Sequence, residues 1–164
     1  SDGLMSEDDD SSRKQAVQGY ELTQTDRGLR EWRLAGATAS YREVDSVVVL
    51  AAVEVTFFDL DEPSTVLTGD SGEIFESSGL MRVWGDVEVE TTDGRHLSTQ
   101  ELVWSEDEGT FESDCFVVLT IRDSLSTSVL SGTGARLDTR LGPSEEGVDI
   151  LESFSAVYSG EIPE

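Results

Sequence analysis

Apolar and polar residues alternate along most of the chain from Tyr20 onward. The alternation is clearest over residues 53–57, 83–89 and 119–121, where charged or hydroxyl side chains occupy most of the intervening positions. A period of two is typical of strands with one buried and one solvated face. No convincing amphipathic helix interrupts these runs. The pattern therefore predicts an all-β protein.

Short polar stretches rich in glycine, aspartate and proline separate the alternating runs, as expected of turns between strands. They are Asp26-Arg27-Gly28, Asp61-Glu62-Pro63, Ser77-Ser78-Gly79, Asp93-Gly94, Asp107-Glu108-Gly109 and Gly142-Pro143. Asp93-Gly94 is the clearest hairpin signal, because this dipeptide readily adopts the positive φ angles of a two-residue turn.

The chain also repeats itself with a period near 30 residues. Related strand motifs place leucines at 34, 67, 97 and 130, with spacings of 33, 30 and 33 positions. Each of the first three motifs is followed by a second strand, over residues 47–57, 81–89 and 111–121. A fixed period with two strands per unit predicts stacked β-hairpins that cover each other's apolar faces. We expect two sheets facing each other across an apolar interior.

The amino terminus differs in composition from the rest. Residues 1–18 are acidic and polar without periodicity, which predicts a disordered leader, and residues 19–162 form the predicted folded domain. The longest apolar run, residues 47–53, is far shorter than the roughly 20 residues that a membrane-spanning helix needs. We therefore expect that any membrane anchor precedes this chain.

The charge balance is strongly acidic. Thirty-five Asp and Glu residues oppose 11 Lys and Arg residues, for a formal net charge of −24. Such a surface repels phosphates, so nucleic acid is not expected as a partner. Because the acids are spread over the whole chain, a high-salt habitat is one hypothesis for their abundance.

No residue pattern indicates catalysis. His96 is the only histidine, so neither a nucleophilic triad nor a metal cluster is predicted around it. Asp59-Leu60-Asp61 lacks the spaced ligands of a calcium loop, and Gly132-Thr133-Gly134 lacks the rest of a phosphate-binding motif. We expect no enzymatic activity, no metal and no cofactor.

Several motifs, taken in order, resemble one known family. The segment from Gly19 to Gly28, followed by Trp32-Arg33-Leu34 and Tyr41, is similar to the opening of LptC-type lipopolysaccharide export proteins. Residues 83–89, 93–104 and 130–138 resemble the later elements of that family. The resemblance covers about residues 19–160. It implies a twisted open β-jellyroll, built from antiparallel hairpins, that holds the acyl chains of lipopolysaccharide in a groove.

The resemblance further implies a periplasmic component that binds lipopolysaccharide and transfers it. This component would link an inner-membrane ABC transporter of the LptBFG type to an LptA-like bridge protein, which it would contact through an exposed strand edge. An amino-terminal segment outside this chain would tether it to the inner membrane. Two alternatives stay open: an LptA-like soluble bridge protein, and a structural or carbohydrate-binding β-domain without lipid transport.

Alternation identifies the side chains expected to face inward and line the groove. Each is at least as compatible with ordinary core packing as with lipid contact, because the same alternation serves both. The predicted residues are Trp32, Leu34, Tyr41, Val53, Val55, Phe57, Leu67, Val83, Val87, Val89, Leu97, Trp104, Val117 and Leu119.

Overall fold

The structure, a computed structural model, describes residues 16–142 and 149–160 and contains nine strands there. The predicted all-β class is confirmed. The strands are β1 Ala16–Asp26, β2 Leu29–Arg42, β3 Val47–Asp59, β4 Glu62–Phe75, β5 Leu80–Thr91, β6 Arg95–Ser105, β7 Thr110–Arg122, β8 Ser126–Asp138 and β9 Asp149–Gly160. Strand β1 begins at Ala16, three residues before the predicted domain start, and the remainder of the predicted leader lies outside the described residues. The described part contains no helix of the length and hydropathy needed to cross a bilayer.

All nine strands form one antiparallel sheet in which each strand pairs with its neighbours in sequence. The predicted turns connect them: Asp26-Arg27-Gly28 joins β1 to β2, and Asp93-Gly94 joins β5 to β6. Gly94 has a φ of 100°, which only glycine adopts readily, and the Arg122 backbone N–H donates to its carbonyl at 2.8 Å. The chain is therefore a continuous meander rather than two separate sheets.

The repeated leucines form a single row across this meander. Leu34 is opposite Val55, which is opposite Leu67, and the row continues without a break to Leu97 and Leu130. Directly opposed residues of neighbouring strands point to the same side of a sheet. The 30-residue period thus places one leucine of every hairpin on the inner face at the same level.

A line of backbone irregularities crosses the middle of the strands. In β3 the buried residues alternate as Val53, Val55 and Phe57 on one side of Ala52, and as Val48 and Leu50 on the other, where the terminal Val47 is buried as well. Ala52 itself has a φ of 57°. Register shifts occur at the middle of the pairings from β4–β5 through β8–β9. Such irregularities bend strands and increase their twist.

The bends fold the sheet over, so that the two halves of the strands face each other. Phe57 and Val48 are nine residues apart in β3, which corresponds to about 30 Å along a strand. Nevertheless Phe57 contacts Trp104 and Phe111, both of which lie in the row of Val48, at ring-centroid distances of 4.9 and 5.5 Å. The core fills the space between the halves. The two predicted facing sheets are therefore two halves of one folded sheet.

Candidate functional site

Folding the sheet brings its two rows of hairpin turns together along one side, here called the seam. One row contains the turns after β1, β3, β5 and β7, and the other contains those after β2, β4, β6 and β8. A hydrogen bond crosses the seam near its middle, where the Trp32 Nε1–H donates to Glu106 Oε2 at 3.1 Å. The Trp32 ring meets the Trp104 ring edge-on at 5.2 Å between centroids. These contacts hold the two rows close to each other.

At the β8 end, a group of residues that we call the latch bridges the seam. Leu141, in the turn after β8, is only 1% exposed and inserts its side chain into the core. The Arg95 guanidinium donates to the Leu141 carbonyl at 2.9 Å, and Arg140 forms an ion pair with Asp59 of the opposite turn row. The latch therefore consists of Asp59, Arg95, Arg140 and Leu141, and it joins the turn after β8 to the opposite turn row.

Towards β1 the seam stays open and forms an apolar groove of about 280 Å³. One wall comes from β1 and β2, and the other from β3 to β6 and their turns. The groove is lined by Tyr20, Leu22, Gln24, Trp32, Leu34, Val48, Ile74, Phe75, Glu76, Gly79, Leu80, Met81, Trp104 and Glu106. Most of these side chains are hydrocarbon or aromatic. A mainly apolar, concave site with a few polar groups is the usual form of a ligand-binding pocket.

The polar groups of the groove are either neutral or acidic. Burial raises the pKa of the Tyr20 phenol, and the negative charge of Glu76 raises it further, so Tyr20 stays neutral at physiological pH. Gln24, Glu76 and Glu106 supply the other polar side chains. The lining contains no Lys or Arg. The groove therefore suits a hydrocarbon segment and offers no cation to an anionic headgroup.

A second depression, of about 380 Å³, lies outside the latch and has a different character. Its lining comes mainly from the polar residues of the turns after β3 and β5, together with Arg140. It is larger than the groove, but Leu60 and Pro63 are the only two of its lining residues with a purely hydrocarbon side chain. We therefore assign the candidate site to the groove, because burial of apolar surface needs apolar walls.

The structure places the fourteen predicted residues in three environments. Twelve are buried in the core between the two halves: Leu34, Val53, Val55, Phe57, Leu67, Val83, Val87, Val89, Leu97, Trp104, Val117 and Leu119. Trp32 is partly buried and packs against this core. Tyr41 is opposite the core residue Val48, yet it is 39% exposed at the end of β2. Contact with lipid stays a prediction for all of them.

Only three of the fourteen line the open groove, namely Trp32, Leu34 and Trp104. Alternation did not identify the remaining residues that line the groove. It distinguishes the inner from the outer face of a strand, whereas the groove depends on which part of the inner face is left uncovered. Leu22 carries a usable signal, since it alternates with Glu21 and Thr23 at the start of the folded part. It lies opposite Leu34 and is exposed at the groove mouth.

The polar groups weighed for catalysis lie elsewhere. His96 and Glu88 are on the outer face of the sheet, with His96 Nε2 2.5 Å from Glu88 Oε1. Among residues 16–142 and 149–160, no three His, Cys, Asp or Glu side chains are grouped so that they would hold a metal ion.

A family model described as "Lipopolysaccharide-assembly, LptC-related" matches residues 5–142 of the chain. This span includes β1 to β8 and therefore the whole groove and the latch. No match was found among curated proteins.

Proposed function

The chain belongs to the LptC-related family of lipopolysaccharide-assembly proteins, and on that premise we propose that it binds lipopolysaccharide through the acyl chains and passes it on without chemical change. The observation that carries the proposal is the apolar groove, open at the β1 end of a folded sheet. The family is one of transport and binding proteins. Its members work in the periplasm in association with the inner membrane, which is the location that we propose for this chain.

The energetics of the groove suit a carrier. Each CH₂ group removed from water contributes about 0.8 kcal/mol, so six buried methylenes would contribute about 5 kcal/mol. Alone, that corresponds to a dissociation constant of roughly 0.2 mM. Holding one segment of one chain would thus be weak and reversible. A protein that transfers lipid needs this property, because it must release what it binds.

Two acidic side chains at the rim of the groove, Glu76 and Glu106, affect where the headgroup can lie. The protein also carries a net charge of −24. Phosphates drawn close to these carboxylates would raise the electrostatic free energy. We propose that the acyl chain enters the groove while the headgroup stays in water beyond the rim.

The two edges of the sheet are the proposed docking sites for partners. Within the described residues, β1 pairs only with β2, and β9 pairs only with β8. Unpaired edges invite strand addition by another β-sheet protein. We propose an LptA-like bridge protein at one edge and an inner-membrane ABC transporter of the LptBFG type at the other. A pairing of this kind would join the apolar interiors of successive sheets.

Photocrosslinking to purified lipopolysaccharide tests the proposal. A benzophenone amino acid is placed at Leu22 or at Trp32, both of which line the groove. The matched controls are Glu21 and Glu31, which are exposed and adjacent in sequence but point to the outer face. We expect crosslinks to lipopolysaccharide from the two groove positions and none from the controls. A different lipid that occupies the groove should compete with lipopolysaccharide and reduce these crosslinks.

Two outcomes would contradict the proposal. Equal crosslinking at all four positions would indicate nonspecific adsorption to the surface. No crosslink at any position, with the fold intact by circular dichroism, would reduce the domain to a structural adaptor.

A further inference from the structure

One hydroxyl group in the core is unsatisfied. Thr65, in β4, is only 1% exposed, and its Oγ1 has no hydrogen-bond partner among the residues that the structure describes. The contrast with Thr99 is clear: its hydroxyl lies 3.2 Å from Ser113 Oγ and donates to the Phe116 carbonyl at 2.9 Å. Buried polar groups almost always have partners, and one without a partner destabilises the fold. Valine has the same shape and would avoid this cost.

The position of Thr65 connects it to the groove. Trp32 is opposite Phe57, and Phe57 is opposite Thr65, so the three side chains lie in one row on the inner face. With neighbouring strands about 4.8 Å apart, Thr65 is about 10 Å inward from Trp32 at the groove mouth. Between them, the Phe57 ring packs against Trp104, which also lines the groove. A chain that advanced from the mouth along this row would pass Phe57 and reach Thr65.

We propose that Thr65 recognises an oxygen carried part-way along the acyl chain, so that the groove prefers chains with a hydroxyl or ester oxygen over plain hydrocarbon chains. The inference rests on the proposed function and specifies its substrate class. The Thr65 hydroxyl can donate to a carbonyl or hydroxyl oxygen, or accept from a hydroxyl. Binding such a chain would satisfy the hydroxyl that is unpaired in the free protein. Phe57 must move aside for this contact to form.

The test compares two neutral lipids that differ in one oxygen, placed near the middle of the chain to match the depth of Thr65: the N-methylglucamides of tetradecanoic acid and of 9-hydroxytetradecanoic acid. A neutral headgroup avoids repulsion from the acidic rim. Binding is measured by titration calorimetry below the critical micelle concentration. We expect the wild-type protein to bind the hydroxylated lipid about three- to tenfold more tightly, the range of one net hydrogen bond. Thr65→Val should abolish the preference, and Thr65→Ser should retain it.

Thermal stability gives a second, independent readout. Thr65→Val should raise Tm, because it removes an unsatisfied polar atom without changing shape. The matched control Thr99→Val should lower Tm, because it breaks two contacts, and should leave the lipid preference unchanged. If Thr65→Val lowers Tm as much as Thr99→Val does, the Thr65 hydroxyl has a partner in the free protein and the inference is overturned.

The outcomes separate this inference from the proposed function. Equal binding of the two lipids by the wild-type protein would overturn the role of Thr65 alone and leave the groove as a general hydrocarbon site. If neither lipid binds and lipopolysaccharide does not crosslink to the groove, the proposed function fails, and the inference fails with it.

Discussion

Replacing Trp104 with leucine tests whether the sheet is folded over as described. Trp104 is 6% exposed and makes edge-to-face contacts with Trp32 and Phe57, two residues from the opposite half of the sheet. In a sheet that was not folded over, none of these contacts would exist. Trp84 is a matched control, because it lies on the outer face, where the Arg82 guanidinium stacks on its ring at 4.4 Å.

The expected magnitudes differ enough to be resolved. Two edge-to-face pairs contribute about 1–3 kcal/mol in total beyond area burial, and truncation of a buried Trp to Ala costs about 3–5 kcal/mol. Trp104→Leu keeps part of the apolar volume, so we expect a loss of about 2–4 kcal/mol in the free energy of unfolding. Trp84→Leu removes one cation–π contact near the surface, worth about 0.5–1 kcal/mol.

Equilibrium urea unfolding, followed by circular dichroism, measures both variants. At about 2–4 °C per kcal/mol for a chain of this size, Trp104→Leu should also lower Tm by about 5–15 °C. Similar losses in the two variants, or a loss below about 1 kcal/mol for Trp104→Leu, would refute the packing of one half of the sheet on the other. A changed m-value would show that the native or the denatured state of a variant had altered in compactness, so the free energy of unfolding of that variant could not be compared with that of the wild-type protein.

Three further predictions concern charge and backbone geometry. Raising NaCl from 0.1 to 1 M shortens the screening length from about 10 to 3 Å, so Tm should rise; a constant or falling Tm would count against self-repulsion as a destabilising force and against the high-salt hypothesis. Asp61 has a pKa below its usual value, mainly because the Arg30 guanidinium donates to it, so its stabilising contribution is complete above about pH 3.9 and is lost as the pH falls through the lowered pKa. On acidification, the free energy of unfolding should therefore fall less for Asp61→Asn than for the wild-type protein. Identical pH dependence of the two proteins would exclude the ion pair. Gly85→Ala should destabilise more than Gly109→Ala in thermal melts, because both have positive φ but only at Gly85 would the new Cβ meet a side chain, that of Asp70 at 2.7 Å; equal losses would contradict the close approach of β4 and β5 there.

The sequence predicted the strands well because their signal is local. Residues 53–57 alternate, and the structure buries Val53, Val55 and Phe57, because a residue's face depends only on its neighbours in a regular strand. The prediction is less informative for Tyr41, which shares a face with Val48 but lies at a strand end with little to cover it. Burial depends on what packs above a side chain, and alternation carries no information about that.

The candidate site could be predicted only in part. Trp32 and Leu34 were expected to face inward and do line the groove, whereas Ile74 and Met81 were missed. The mid-strand irregularity of β4 explains the omission of Ile74, because Leu67 faces inward on one side of it and Ile74 on the other. Met81 keeps the alternation of Val83 in β5, so its omission has no such cause. The unsatisfied hydroxyl of Thr65 is likewise invisible in the sequence, because threonine is common in strands and its lack of a partner is a property of its surroundings.

The sequence by itself determined the all-β class, the hairpin repeat and the row of leucines, because these follow from alternation and from a period that brings equivalent residues into register. It also determined the acidic surface. Only the tertiary structure decided that the sheet folds over, that the latch joins the two turn rows at one end and that the groove stays open at the other. Those features depend on contacts such as Asp59 with Arg140 and Trp32 with Glu106. Such pairs are distant in the chain and form only when bends in many strands add up, so no local pattern specifies them.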